Sequence, residues 1–305
     1  MKIRIFLLAL LMMFAVALQA QTYDQLWKRV QQMEQKDLPK SVIAEAQSIY
    51  LKAKAEHNVP QMMKAYLTMM VYRESISPDS LTVDVKGLEE WAASPQTEVQ
   101  DRAVLYSILG EITLENDFEK GNRYLHLSLK DSLKLVDYSA EKLVPMVTTG
   151  ETSRLYFDNN LYDLLARRAI RLWKENQWNP QREAILQTVQ QTYQSLLCIY
   201  EEKNMQSAWL LTALDAYPQA DEKLLRTWMK KYGDLDVCAE VYLRLAESMQ
   251  REDEPAKRLA LLREGIKRYS NYNRINALKN EESEILSPWL DFRMEYAYPG
   301  EPIQL

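Results

Sequence analysis

The sequence predicts an all-α fold of consecutive αα-hairpins with a short β-hairpin stub at the C-terminus. The 305 residues include only seven glycines and eleven prolines, about half of the usual share, so few residues interrupt a helix. Apolar residues recur at spacings of three and four along most of the chain, which is the period of an amphipathic helix. Helix-breaking residues such as Asn58-Val59-Pro60 stand between the periodic stretches. Together these observations predict short helices joined by tight turns.

A signal peptide is predicted at residues 1–20. Lys2 and Arg4 form a basic start, an apolar run follows over residues 5–17, and Leu18-Gln19-Ala20 suits cleavage. The apolar run is too short to cross a bilayer, for which roughly 20 residues are needed. No cysteine stands directly after the leader, where a lipid anchor would be attached. We therefore expect an exported protein, periplasmic or extracellular, that is neither lipid-anchored nor membrane-spanning.

An N-terminal helical subdomain is predicted over residues 21–150. Residues 41–57, with Ser41 as the cap, and residues 60–75 form an αα-hairpin, the unit of helical-repeat proteins. From residue 116 to 139 the apolar pattern weakens, and Gly121 interrupts it. The other helices of this part are expected at 23–35, at 81–93, after Ser94-Pro95 as far as Leu114, and at 128–135.

A helix that starts after Asn160 is predicted to lie at the centre of the helical body. Asn160 suits an N-cap because its side chain can accept a backbone N–H, and Asp163 in the first turn can pair with Arg167 one turn later. An extended lead-in is expected before this helix, ending at Asp158. Apolar residues cover most of the remaining surface, so we expect other helices to surround it; they are Leu161, Tyr162, Leu164, Leu165, Ala166, Ala169, Ile170, Leu172 and Trp173.

Residues 151–287 are predicted as a central and C-terminal helical subdomain. Its last two helices, 237–251 and the one that starts at Glu254-Pro255, resemble a tetratricopeptide-type helix-turn-helix in residue spacing and in their short polar turn. This resemblance makes the predicted array of αα-hairpins TPR-like. The preceding helices are expected at 180–202, at 206–216 and at 223–232.

The pattern changes near the C-terminus. Apolar and polar residues alternate from Leu290 to Tyr298, which is typical of a half-buried strand. Residues 299–302 suit a turn, and a second strand is expected to start at Ile303. Because a lone hairpin is at best marginally stable in water, either this strand joins another molecule or the chain is the front part of a longer protein. The second alternative is favoured.

Three stretches resemble bacterial alpha-2-macroglobulin-like proteins. The run Leu155-Tyr156 followed by Asn160-Leu161-Tyr162-Asp163-Leu164-Leu165-Ala166-Arg167-Arg168-Ala169 is similar to a segment of that family's N-terminal helical region. The opening Tyr23-Asp24-Gln25-Leu26-Trp27-Lys28, together with residues 36–41, is similar to the family's start after its signal peptide. Residues 292–305 resemble the beginning of the first macroglobulin-type β-domain. The chain departs from the family at Asp158-Asn159-Asn160, where arginine, proline and threonine are usual.

This resemblance spans most of the chain but only the front of the family's full length. It implies a non-enzymatic exported helical scaffold that precedes the macroglobulin domains of a protease-trapping inhibitor. Proteases or envelope proteins would be the partners. Residues 288–305 would be the start of a truncated macroglobulin-type β-domain, continued in a longer chain.

The two cysteines, Cys198 and Cys238, leave two alternatives open. Export favours a disulfide between them, whereas their positions on or beside apolar helical stripes favour buried free thiols. The family's internal thioester is read as Cys-x-Glu-Gln. Cys238-Ala239-Glu240-Val241 comes within one residue of it, but Val241 has no carboxamide to form the thioester. We therefore expect no covalent trap.

No catalytic, cofactor-binding or metal-binding residue is predicted. His57 and His126 are the only histidines, and neither lies in a metal-binding or triad motif. The acid pairs Glu89-Glu90, Glu201-Glu202 and Glu281-Glu282 suit solvated helix faces. With a formal net charge of −5, the chain lacks the excess of basic residues that is typical of nucleic-acid-binding proteins. An α-helical hydrolase therefore has no supporting constellation.

Two functions from different classes remain. The first is the N-terminal scaffold of an alpha-2-macroglobulin-like protease inhibitor, which the resemblance implies. The second is a stand-alone TPR-like protein-binding module of the cell envelope, whose concave face holds a peptide or a partner. Both predict protein partners.

Overall fold

The computed structural model describes residues 22–147, 150–176, 180–249 and 255–296. Their backbone forms fifteen α-helices and two short 3-10 helices and contains no strand. A single isolated β-bridge joins Ser139 and Asn160. The all-α prediction is confirmed. The predicted signal peptide, residues 1–20, lies outside the described residues.

Contacts divide the chain into two compact units. Unit 1 contains the described residues of Met1–Thr149 and Asn159–Leu172, and unit 2 contains those of Gly150–Asp158 and Trp173–Leu305. The predicted subdomains, with their boundary at 150/151, would instead place residues 159–172 with the C-terminal half.

Unit 1 is a series of helices in which each of the first five packs against the next. The turns between them have three to five residues, so neighbouring helices stay in contact. The helices are α1 (Tyr23–Glu34), α2 (Pro39–Ala55), α3 (Val59–Ile76), α4 (Ser80–Ala93), α5 (Val99–Leu114), α6 (Phe118–Ser128) and α7 (Ser132–Val136), with a 3-10 turn at Ala140–Leu143 and the larger part of α9 (Leu161–Glu175).

Helix α9 is the predicted central helix, and its local signals are confirmed. Asn160 caps it, with its Oδ1 accepting the N–H of Asp163 at 2.8 Å. Asp163 Oδ1 accepts from Arg167 Nε at 2.6 Å. Every apolar residue predicted to be covered is buried except Leu164, which is half-buried.

Helix α5 is buried on most of its surface and packs against α4, α6 and α7. Its contact with α6 is close because glycines lie at the crossing. A Cβ on Gly121 would lie 2.5 Å from Leu114 Cα, and one on Gly110 would lie 2.5 Å from Leu125 Cδ2. Gly121 therefore lies inside α6 as a packing residue, and the prediction that it interrupts the pattern is wrong.

Unit 2 is also built from helices that pack in sequence order from α10 to α15, and α13 contacts both α14 and α15. Polar side chains join its elements: Tyr272 donates to Glu240 Oε1 at 2.8 Å, and Asn273 donates to Thr152 Oγ1 at 3.0 Å. Its helices are α8 (Glu151–Tyr156), α10 (Arg182–Glu202), α11 (Gln206–Ala216), α12 (Glu222–Tyr232), α13 (Ala239–Ser248), α14 (Pro255–Arg268) and α15 (Asn276–Tyr296), with a 3-10 turn at Asp236–Cys238.

Three local predictions are wrong. The lead-in before Asp158 is not extended, since residues 151–156 form α8. Ser41 does not cap its helix, because α2 begins at Pro39, which suits a helix start. The predicted strand is helical as far as Tyr296, and the residues after it lie outside the described part.

The C-terminal correction has a physical reason. A helix closes its own backbone hydrogen bonds, whereas a lone strand leaves its N–H and C=O groups without partners. Leu290 and Met294 alternate with polar residues, but they are also four residues apart, which a helix accepts equally well. A short alternating run therefore does not distinguish the two.

We predict that Gly121→Ala lowers the free energy of unfolding by roughly 1–3 kcal/mol, because the new methyl group overlaps the backbone at Leu114. The steric overlap outweighs the gain in helix propensity, which is about 1 kcal/mol. Urea denaturation followed by circular dichroism measures the change. Gly150→Ala is the control, since nothing lies within 4 Å of its added Cβ. Equal midpoints for the two variants would contradict the close packing of α5 on α6.

Candidate ligand-binding site

The residues that the sequence singled out for chemistry do not come together. Both cysteines are free thiols; Cys238 is buried and Cys198 is exposed. The interpretation as a buried apolar residue therefore holds for Cys238 only. Burial raises the pKa of the Cys238 thiol, which makes it a poor nucleophile.

The histidines and the acid pairs also lie apart. His57 is exposed in the turn after α2, and His126 is exposed on α6, where partial desolvation lowers its pKa. Glu89 bonds Lys120 and Tyr124, each at 2.8 Å, so it contacts α6 and does not pair with Glu90. Within the described ranges no three His, Cys, Asp or Glu residues are grouped to hold a metal ion.

A cavity of about 730 Å³ lies in unit 1, within the size range of small-molecule sites. The α2–α3 turn and the α4–α5 loop form two of its walls. These two connections lie at the same end of consecutive helices. The residues that line the cavity include Lys54, His57, Trp91, Glu98, Asp101 and Tyr138.

Arg102 holds the α4–α5 loop in place. Its Nε donates to Ala92 O at 3.1 Å, and its Nη2 donates to Ser94 O at 3.2 Å and to Thr97 O at 2.9 Å. Thr97 Oγ1 in turn donates to Trp91 O at 2.6 Å. One guanidinium thus satisfies three loop carbonyls, and the wall of the cavity is pre-formed.

Trp91 is held from the other side by Tyr66. The two rings meet edge to face, with centroids 6.2 Å apart. Tyr66 donates its hydroxyl to Asp84 O at 3.0 Å. This hydroxyl lies where a side chain on Gly87 would be, since a Cβ there would come within 2.2 Å of it. The indole therefore has a fixed orientation beside the cavity.

Asp101 is the unusual residue of the site. It lies in the first turn of α5 and is 7% exposed. The other two buried aspartates of unit 1 are paired: Asp84 with Arg73 and Asp163 with Arg167, each at 2.6 Å. Asp101 makes no hydrogen bond or ion pair with any residue that the structure describes.

Burial raises the pKa of Asp101 to about 6, and the nearby charge of Glu98 adds to the increase. The positive end of α5 favours the carboxylate, but it does not offset the loss of solvent. At neutral pH the group is therefore mainly ionised and lacks a counter-charge. A buried carboxylate without a partner beside a cavity is suited to binding a cation.

A second cavity, of about 380 Å³, lies in unit 2 beside Asp221, Arg244 and Glu247. Its acidic group is compensated, since Arg244 Nε lies 3.5 Å from Glu247 Oε2. Asp221 caps α12 by accepting the N–H of Leu224 at 2.8 Å. Local structural roles thus account for these groups, and the unit 1 cavity is the stronger candidate.

Sequence reasoning missed Asp101 and its surroundings. An aspartate in the first turn of a helix is a common stabilising feature, so its position alone draws no notice. One signal was present: Asp101 is followed directly by Arg102, within a helix whose other faces are apolar. Which of the two charges finds a partner depends on the loop that folds over them.

Comparison with known proteins adds little. No protein-family model and no curated protein matches the chain. The crystal structure of BtubC (BKLC) from P. vanneervenii is similar at a TM-score of 0.36 and 13% identity, over 88% of this chain and 96% of that one. A similarity this weak supports no argument. No helix among the described residues is long and apolar enough to cross a membrane.

We predict that Asp101→Asn stabilises the protein at pH 7 by roughly 1–3 kcal/mol. The folded state binds the Asp101 proton more tightly than the unfolded chain does, because the pKa rises from 3.8 to about 6. The wild-type protein therefore loses stability as the pH rises through this window, and the variant does not. The difference should disappear below pH 3.8. Urea titrations across this pH range measure it.

Asp84→Asn is the matched control, because it leaves Arg73 without its partner. We expect this change to destabilise the protein by roughly 1–3 kcal/mol. An Asp101→Asn protein that is less stable than wild type at pH 7 would show that Asp101 has a compensating partner.

A further prediction concerns the loop. Arg102→Ala removes three hydrogen bonds to carbonyls and should lower the free energy of unfolding by roughly 2–4 kcal/mol. Arg123→Ala, at an exposed position on α6, should stay within about 0.5 kcal/mol of wild type. Similar losses in the two variants, measured by urea denaturation, would contradict the role of Arg102 in holding the loop.

Proposed function

We propose that this chain is a non-enzymatic, TPR-like protein-binding module and that the unit 1 cavity receives a segment of its partner. The unpaired Asp101 carboxylate beside a pre-formed cavity is the observation that carries this proposal. Binding would supply the counter-charge that the folded protein lacks.

The arrangement of the helices supports a binding module. Helices α2 and α3 form one hairpin, and α4 and α5 form the next, in direct contact. In helical-repeat proteins consecutive hairpins bring equivalent positions side by side, and the resulting surface holds extended partners. The unit 1 cavity lies where two such connections meet, and His57 and Glu98 are exposed to an approaching chain.

The energetics of the site also support binding. A protein that needed only stability would place a neutral or apolar residue at position 101. A residue that lowers stability is typical of a functional position, where an unfavourable feature such as an unpaired buried charge is kept because binding needs it. Trp91 and the Arg102-held loop are pre-organised, which reduces the entropy lost when a partner is ordered against them.

The role as the front part of an alpha-2-macroglobulin-like protease inhibitor stays a prediction. It rests on the segments around Asn160, Tyr23 and Phe292. Export to the periplasm or cell surface is likewise proposed, on the basis of residues 1–20. Reading the gene beyond the codon for Leu305 tests the first, since macroglobulin domains and a thioester motif would have to follow. Cell fractionation tests the second.

The binding function is tested by selecting a random linear peptide library on the full chain. We expect peptides to be enriched and to compete for one site. Gln100→Trp places a large ring at the cavity, because Gln100 lines it. This change should weaken the selected peptides by roughly tenfold or more.

Gln32→Trp provides the matched control. Gln32 is exposed on α1 and does not line the cavity. It should bind the peptides as wild type does. The proposal is wrong if no peptide is enriched above background. It is also wrong if the enriched peptides bind the Gln100→Trp protein unchanged.

A further inference from the structure

We infer that the unit 1 cavity recognises an alkylammonium group, with Asp101 as its counter-ion and Trp91 and Tyr138 as aromatic walls. The inference deepens the proposed function and rests on it in one respect, because it names the chemistry by which a partner is held. Either a lysine side chain or a free amine could supply such a group. The experiment separates these two sources.

The charge of the ligand follows from Asp101. The Asp101 residue is 7% exposed and has no cation near enough to pair with its carboxylate. Glu98, which also lines the cavity, adds a second negative charge. An anion would meet repulsion from both carboxylates, and a neutral ligand would leave Asp101 uncompensated. A cation supplies the positive charge that Asp101 lacks.

The organic nature of the cation follows from the walls. A metal ion needs several oxygen or nitrogen ligands, and no such group exists among the residues that the structure describes. The cavity offers instead the half-buried side chains of Val59, Pro60, Met62 and Trp91. These are suited to the methylene groups of an alkyl stem.

The aromatic walls are suited to an ammonium head. Tyr138 lines the cavity, and Lys142 Nζ lies 5.1 Å from its ring centroid. This chain therefore already places an ammonium group over that ring. Trp91 presents the side chain with the strongest cation–π attraction. Burial is the larger cause of the raised Tyr138 pKa, and the charge of Asp101 adds to it, so the two groups are close to each other.

The other charged groups around the cavity modulate binding. They are Lys54 in the last turn of α2, His57 in the α2–α3 turn, Glu98 in the α4–α5 loop and Lys142 in the 3-10 turn after Tyr138. Lys54 is exposed and positively charged, so it opposes a bound cation. Removing its charge should strengthen binding. This expected gain distinguishes recognition of a cation from binding driven by shape alone.

Binding should weaken at acidic pH. The pKa of Asp101 is about 6 in the free protein, and protonation removes the counter-charge. The amine stays protonated throughout this range. The affinity should therefore fall as the pH is lowered through 6, and the Asp101→Asn protein should lack this step.

The test uses isothermal titration calorimetry on the full chain with two probes. They are n-butylammonium and a short peptide that carries one lysine. Asp101→Asn should weaken both probes by roughly tenfold or more, and Lys54→Gln should strengthen both by a few fold. The matched control is Asp79→Asn, an exposed aspartate outside the cavity that makes no side-chain cap. It should leave both affinities unchanged.

Neutral analogues complete the design. Butanol and the same peptide with its lysine acetylated keep the stem and remove the charge, and neither should bind. Equal binding of the charged and neutral probes, or unchanged binding to the Asp101→Asn protein, would overturn the inference. Circular dichroism and urea denaturation establish that each variant is folded.

The outcomes separate this inference from the proposed function. If selected peptides bind at the cavity without needing a lysine, the ammonium inference fails and the binding module stands. If the free amine binds through Asp101 while no peptide is enriched, the inference stands and the protein-binding role fails. Preference for the lysine peptide over n-butylammonium identifies a protein partner, and the reverse identifies a small amine.

Discussion

The close contact between α5 and α6 is the constraint on which the rest of unit 1 depends. Gly110 and Gly121 leave no room for a side chain where the two helices cross. Helix α5 is therefore held deep in the unit, and in its first turn Asp101 is buried while Gln100 and Arg102 are half-buried. The site begins with this packing, because a carboxylate in the first turn of an exposed helix would simply be solvated.

Two adjacent residues of α5 differ in that environment, because one finds hydrogen-bond partners and the other does not. Arg102 turns towards the α4–α5 loop and bonds three of its carbonyls. Those donors are then committed to the loop, and no other cation lies near enough to pair with Asp101. The arrangement that orders one wall of the cavity thus leaves the neighbouring carboxylate without a counter-charge. The hydrogen bonds of Arg102 therefore explain both the order of the α4–α5 loop and the missing counter-charge of Asp101.

Asp84 and Asp163 are buried aspartates of the same unit whose negative charge is compensated by a partner. Each is buried as deeply as Asp101, and each has an arginine at 2.6 Å. Unpaired burial is therefore not a general property of this helical packing. Among the three buried aspartates that the structure describes in unit 1, only Asp101 lacks a partner, and it lies beside a cavity with aromatic and apolar walls. A binding role accounts for this combination, since a ligand can restore what folding removed.

The sequence by itself determined where most helices lie and that the body is all-α. Apolar spacing, breakers and caps act within a few residues, so the cap at Asn160 and its pair Asp163–Arg167 were readable without the fold. Helix α11 was predicted with its observed bounds. Only the tertiary structure decided that Gly121 is a contact between helices and that residues 290–296 are helical. It also decided that Arg102 serves the loop while Asp101 faces a cavity alone. Those outcomes depend on segments that are distant in sequence, because burial and pairing are properties of the packed neighbours and not of the local pattern.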